Sequence, residues 1–327
     1  MSDALERAAA RIADEVLFAA ALQVDATGEI PASHFAALAA AGLYGIAGPS
    51  HAGGSDLDLR AQRRIRELLA GGCLTTAFVW AQHHGVVRGV RNAGGAVADA
   101  WLPGLCSGRL RGGLALAALR PGPSSLRIAL HDDGGATLAG SSPMVTGWGY
   151  VDVLLAAARL PSDEIVLVLV ETAHGGLHAR PRRLAALDAS RTVQLELSDV
   201  RVAADTVVRT TALPAWAAEG ESVRMNGTLA VGVAARCARI AGTPSLVAAV
   251  DACRHALDVA DDGDELARAR AGASLLAMRA ASYLVAERGS VAVDLREHAQ
   301  RLAREAIFLL AFAQRPAIKE ALLRELG

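Results

Sequence analysis

The sequence predicts an α+β protein in three parts: an N-terminal α-helical domain over 1–108, a central small β-barrel or sandwich over 109–208, and a C-terminal four-helix bundle over 209–327. Three observations carry this. Apolar residues recur at helical spacing in the first and last thirds. Between them the pattern turns to period two, and turn residues cut that middle stretch into short runs.

The first part opens with "ALERAAARIADEVLFAAAL", apolar at helical spacing, and "PASHFAALAAAGL" begins beside a proline and ends in Gly42. A Gly/Pro/Ser loop over 48–58 leads to two amphipathic stretches, 59–70 and 74–93. The middle part contains "GGLALAAL", "SLRIALHDDGGATLAGS", "VDVLLAAARL", "DEIVLVLVETA" and "TVQLELSDVRV". Asp-Asp-Gly-Gly and Leu-Pro-Ser-Asp separate these runs as turns. From 213 onward the helical period returns, broken near Gly242-Thr243-Pro244, Asp261-Asp262-Gly263-Asp264 and Gly289-Ser290, which divides it into four helices.

Composition narrows the function classes. Hydrophobic residues make up 52% and aromatics only 4% of the 327 residues, which predicts a mostly helical protein with an ample core. Net charge is −1, so neither nucleic acid nor a membrane surface is expected as a partner. The apolar runs, such as 306–313, are too short to span a bilayer, and the acidic first residues lack the apolar stretch of a secretory signal. A cytoplasmic protein is expected. Cys73, Cys106, Cys237 and Cys253 are scattered without a C-x-x-C pair, as small buried residues would be, and no metal site is expected. Lys319 is the only lysine and no lysine follows a glycine, so a Walker A loop is excluded.

Some motifs fail on inspection. "GPSHA" (48–52) has the serine of a nucleophile elbow, but Pro49 precedes it and Ala52 stands where the last glycine belongs. His83 and His84 are adjacent on a helix and point to different faces, so they cannot chelate one metal as a pair.

One stretch stands out. In "VTGWGYVDVLLAAAR" (145–159) a threonine and a tryptophan sit among glycines just before a strand, where glycine often marks a close approach to the backbone. Read from the residues, this is either a ligand contact or a β-bulge with a core tryptophan.

Together with this stretch, "FAALAAAGLYGIAGPSHAGGSDLDLR" (35–60), "LELSDVRVAADTVV" (195–208) and "VGVAARCARIAG" (231–242) fall in an order that resembles the acyl-CoA dehydrogenase family, over nearly the whole chain. The resemblance implies oxidation of an acyl thioester at its α and β carbons, with a hydride passing to FAD. It places Thr146 near flavin N5, Gly147 at the close approach and Trp148 over the ring, with Met144 where the family has a tryptophan. It also sets Leu116, Ala118, Leu119 and Ser125 beside the cofactor, and Ser125, Arg224 and the backbone N–H of Ala313 beside the substrate.

The departures from the family are specific. Its glutamate base belongs to a Tyr-Glu-Gly-Thr run, which here reads Phe312-Ala313-Gln314-Arg315. General acid–base help is worth about 10²–10⁴-fold, so alanine at that position removes a large share of the rate. Some members place the base on the first bundle helix, where Ser222 stands nearest the expected position and Glu221, one residue away, is the substitute base; a glutamate there is also what a helix N-terminus favours. In "LRPGPSSL" (119–126), Leu119 replaces a flavin-bonding threonine and Arg120 a glutamate, while Pro121, Gly122 and Ser125 match. The family's Arg-x-x-Phe-Gly segment, which reaches the neighbouring subunit's FAD, is missing between Gly242 and Pro244.

Two functions are therefore expected as alternatives. One is an FAD-dependent oxidoreductase of lipid metabolism that acts on an acyl-CoA or related thioester. The other is a catalytically degenerate partner of a complete dehydrogenase chain. A flavin-dependent monooxygenase is a third reading that no residue favours. The apolar faces of the bundle and the family habit both imply an oligomer, as homo-dimer or tetramer or with a related chain.

Overall fold

A computed structural model describes residues 1–119, 125–217 and 220–327. Arg120, Pro121 and Gly122 of the expected cofactor loop lie outside the described residues.

The N-terminal helix α1 (Ser2–Arg11) runs through a π-helical stretch (Ile12–Phe18) into α2 (Ala19–Thr27). Ala9, Ala13, Leu17, Ala21 and Val24 are buried along it, the stripe that the apolar spacing predicts. After α3 (Ala32–Ala40), the loop at 41–58 folds back on itself: a Cβ on Gly54 would overlap the Gly48 carbonyl, so only glycine fits there. Asp58 then caps α4 (Leu59–Gly72), its Oδ1 accepting the Ala61 N–H at 2.8 Å. Helices α5 (Leu74–Ala93) and α6 (Gly95–Cys106) follow.

The eight strands are β1 (Gly112–Ala115), β2 (Leu126–Leu130), β3 (Ala136–Val145), β4 (Val153–Arg159), β5 (Ile165–Glu171), β6 (Leu177–Pro181), β7 (Val193–Val202) and β8 (Val207–Thr211). Their order is β6-β7-β3-β2-β4-β5-β8, with β1 parallel to β4. The single pair Arg127–Arg159 joins the β2 and β4 halves, so the sheet is nearly split in two. Every residue of β5 but Glu171 is buried, which explains its unbroken apolar run.

The last third holds α7 (Leu213–Ala217), α8 (Glu221–Ala241), α9 (Pro244–Val259), α10 (Gly263–Arg288), α11 (His298–Ala311) and α12 (Pro316–Leu326). Four long helices form the expected bundle, and α12 packs back on α10 as an addition the sequence reading lacked. Only Gly242, at φ 62°, and Thr243 separate α8 from α9.

Two of the contacts that join these parts are close and buried. Where α4 crosses α8, a Cβ on Gly71 would stand 2.9 Å from the Gly232 carbonyl oxygen, and one on Gly232 would overlap the Glu67 carbonyl. His83 on α5 is the second: its Nδ1 accepts the Gly112 N–H of β1 at 3.0 Å, so its Nε2–H donates to the Tyr44 carbonyl at 3.2 Å. Burial pushes the His83 imidazole down to about 3, and partial burial beside Arg301 pushes His298 down to about 4.

Gly232→Ala is expected to destabilise the chain by about 2–3 kcal/mol, because backbone rather than a flexible side chain must move. Gly272→Ala, at an open position within α10, is expected to stabilise it by about 0.5–1 kcal/mol. Urea unfolding of both variants checks the pair. Both histidines have folded pKa values below the ordinary 6.5, so the unfolded chain takes up these protons first. Their contribution is complete above pH 6.5 and is lost as pH falls toward 4 for His298 and 3 for His83. Urea midpoints at pH 7 and pH 5 are expected to show the loss, and a midpoint that is level across that interval contradicts it.

Candidate functional site

The end of β3 leaves regular pairing before it reaches Thr146. Its register against β7 shifts between Ser142 and Val145, and Met144 in that gap takes a left-handed φ of 56° with 46% exposure. The chain then packs on the loop before β7: the Gly147 N–H donates to the Ser190 carbonyl at 2.9 Å, and the Trp148 N–H to that of Arg191 at 3.2 Å. Thr146 is 5% exposed, with its Oγ1 3.2 Å from Thr192 Oγ1, which in turn lies 2.9 Å from Ser190 Oγ. A Cβ on Gly147 would stand 3.1 Å from Val151 and 3.3 Å from Val79 of α5. The groups that approach this glycine are Val151 of its own loop and Val79 of the neighbouring helix. Trp148 is half-buried against the main core, and Tyr150 accepts the Ile30 N–H at 2.9 Å.

Leu116, Ala118 and Leu119 share one turn. The Leu119 N–H donates to Leu116 O at 3.1 Å, and Leu119 is buried among Val153, Leu155 and Leu167, with its carbonyl taking an Arg159 N–H at 3.3 Å. Ala118 is buried in the main core. Half-buried Ser125 accepts the Ser141 N–H on its carbonyl at 2.9 Å, against Gly140.

In the C-terminal part, Ala313 follows α11 at a left-handed φ of 53°. Buried Arg270 secures this turn, donating to the carbonyls of Phe312 at 3.2 Å and Leu309 at 3.4 Å, and Ser274 donates to Leu309 at 2.8 Å. Phe312 meets Phe78 of α5 edge-on at 4.8 Å and stacks on Phe308 at 5.4 Å; Phe78 meets Phe308 at 5.1 Å.

Glu221 begins α8 and turns toward α4, where its Oε1 lies 2.9 Å from Arg63 Nη1. Arg63 also bonds Asp258 at 2.9 Å, and Arg224 stands 3.9 Å from Glu221 while capping the end of α9 through the carbonyls of Leu257 and Ala260. Arg315 donates to Ser222 at 2.8 Å. Arg63 and Asp258 line a cleft of about 430 Å³ between α1, α4, α8 and α9, whose walls include Arg64, Glu67 and Arg254. No hydrogen bond among the described residues connects Glu221, Thr146 and Ala313.

Residues 2–109 match the family model described as acyl-CoA dehydrogenase, N-terminal domain. Butyryl-CoA dehydrogenase from Megasphaera elsdenii superposes with a TM-score of 0.87 at 18% identity, over 98% of this chain and 96% of that one. The chain has the acyl-CoA dehydrogenase fold. A probable acyl-CoA dehydrogenase from Mycobacterium abscessus gives a TM-score of 0.83 at 18% identity, with 99% and 98% covered. The FAD- and proline-bound protein PigA gives 0.84 at 19%, with 100% and 97% covered. No curated protein sequence matches the chain.

Within this acyl-CoA dehydrogenase fold, four of the residues assigned to the cofactor, Ala118, Leu119, Met144 and Thr146, do not fit a flavin ring held by side-chain hydrogen bonds. The Thr146 hydroxyl is turned inward to Thr192, Ala118 and Leu119 are core residues, and exposed Met144 carries no donor. Three structural residues escaped the sequence reading. Arg301 and Glu305 form a buried pair at 2.5 Å, signalled only by i,i+4 spacing on an apolar helix. Desolvation pushes the Glu305 carboxyl above its ordinary range, against the pull of Arg301. Phe78 gave no signal, because one aromatic on an apolar helix face looks like any core residue.

Ala313→Gly removes the cost of a left-handed alanine, about 1–2 kcal/mol, against a smaller cost from the greater entropy of the unfolded chain. A net gain of about 0.5–1 kcal/mol in urea unfolding is expected. A net loss would mean that the Ala313 methyl is held by packing rather than tolerated.

Proposed function

We propose that this chain is a catalytically silent subunit with the acyl-CoA dehydrogenase fold, working as the partner of a complete dehydrogenase chain. The observation that carries the reading is at Ala313. Removal of an α-proton needs an acceptor within hydrogen-bond reach of the substrate carbon, and a methyl group has no lone pair. Among the described residues, neither carboxylate considered for the role is free to stand in for it. Glu221 is committed to Arg63, and Glu305 is buried with Arg301.

Three further features support silence. Phe78, Phe308 and Phe312 fill the space beside the Ala313 turn with ring contacts, and the Thr146 hydroxyl completes an internal chain with Thr192 and Ser190. The short α8–α9 link leaves this chain without a segment to reach into a neighbour. A partner chain that carries its own base, FAD and acyl-CoA site would supply the chemistry.

A second reading, an FAD-dependent acyl-CoA dehydrogenase with Glu221 as base, draws on one observation. Glu221 keeps 27% side-chain exposure and has Arg224 beside it.

The visible spectrum and acyl-CoA turnover of the purified chain, alone and co-purified with a related dehydrogenase chain, separate these readings. Silence alone and turnover with the partner are expected. Turnover by the chain alone that falls 100-fold or more in Glu221→Gln, within the range of lost general-base catalysis, would establish the second reading instead.

A further inference from the structure

The interface of α4 and α5 holds polar groups that nothing among the described residues satisfies. Arg66, Trp80 and His84 are all buried, and among the described residues the Arg66 Nε, the Trp80 Nε1 and both ring nitrogens of His84 have no hydrogen-bond partner. The three side chains lie together. Trp80 and His84, one turn apart on α5, meet edge to face at 4.4 Å, and Arg66 Nη2 reaches the Ala81 carbonyl of the same helix at 3.5 Å.

The chemistry of this cluster is lopsided. Arg66 and Trp80 offer only donors, and a neutral His84 adds one donor and one acceptor. Gln62 Oε1, one turn before Arg66, is also buried without a partner, so it adds an acceptor and the excess still lies with donors. The charge is equally unbalanced. Burial and the nearby Arg88 push the Arg66 guanidinium down to about 9, with Glu221 acting in the opposite direction. Glu221, however, is already bonded to Arg63. Burial, His83 and both arginines hold the His84 imidazole well below its ordinary range, so it is neutral.

Each buried polar group left unpaired costs about 1–3 kcal/mol, so several in one place call for a common occupant. Water would complete hydrogen bonds but would leave the charge of Arg66 uncompensated. We propose that Arg66, Trp80 and His84 form a buried receptor for one compact oxyanion of the carboxylate type. A carboxylate is planar, carries a single charge and accepts from several directions, which suits one guanidinium N–H, one indole N–H and one imidazole N–H. None of the residues assigned by sequence to cofactor or substrate belongs to this cluster, and the proposal holds whether or not the chain is catalytic.

The test is thermal unfolding and calorimetric titration of the full chain with sodium formate, acetate or phosphate, against chloride at equal ionic strength. A saturable rise in Tm with formate or acetate is expected, with an affinity about tenfold or more weaker in Trp80→Phe, which removes the N–H but keeps the ring. His84→Leu is expected to abolish it. Three outcomes overturn the proposal: no rise above chloride, an equal affinity in Trp80→Phe, or a saturable rise with phosphate alone, which would mean a tetrahedral anion.

Discussion

Gly71 and Gly232 allow α4 and α8 to cross with backbone against backbone, and much of the architecture leans on that crossing. Arg236, one turn past Gly232, donates to the Gly71 carbonyl and to Asp14, and its guanidinium lies 4.1 Å over the Phe18 ring. The first long helix, α4 and α8 thus meet at one place, although they come from opposite ends of the chain. Once α8 is fixed, α10 packs along it, α11 along α10, and the end of α11 is brought to α5 through Phe78. A side chain at either glycine would separate the two helical parts by the thickness of a methyl group, and dense interiors do not absorb that freely.

This close packing has a consequence for chemistry. Polar groups that could face a ligand in a looser molecule are used here to hold elements together. Glu221 ties α8 to α4 through Arg63, Arg270 closes the end of α11, and the Thr146 hydroxyl completes a chain with Thr192 and Ser190. The aromatic contacts around Phe78 do the same with apolar surface. By contrast, the Arg66–Trp80–His84 cluster is polar, buried and not consumed by the fold.

Much of the fold was legible locally. Asp-Asp-Gly-Gly marks the β2–β3 turn because its residues suit left-handed and tight backbone, and the stripe from Ala9 to Val24 marks a helix because burial follows its period. The short strands β6 and β8 were not read, since each is five residues long and neither has an apolar face complete enough to show a period. Helix α12 was hidden for a similar reason: the turn through Ala313 divides one apolar stretch into two helices, and alanine does not announce a left-handed φ. At the candidate site, the sequence showed which residue types stand at Ala313, Leu119 and Glu221, and what chemistry each can perform. It did not show what each side chain touches.

The sequence by itself determined the order of helical, strand and helical parts, and the residue types at the positions where the fold's chemistry is expected. Those are local properties, fixed by period, turn residues and side-chain chemistry. Only the tertiary structure decided that Val151 and Val79 are what approach Gly147, that Glu221 faces Arg63, and that Arg66 Nε, Trp80 Nε1 and the His84 ring nitrogens gather without partners among the described residues. Each of these depends on residues far apart in the chain or on different faces of packed helices. Hydrogen-bond partners and packed neighbours are set by where elements cross, and a linear pattern does not carry that information.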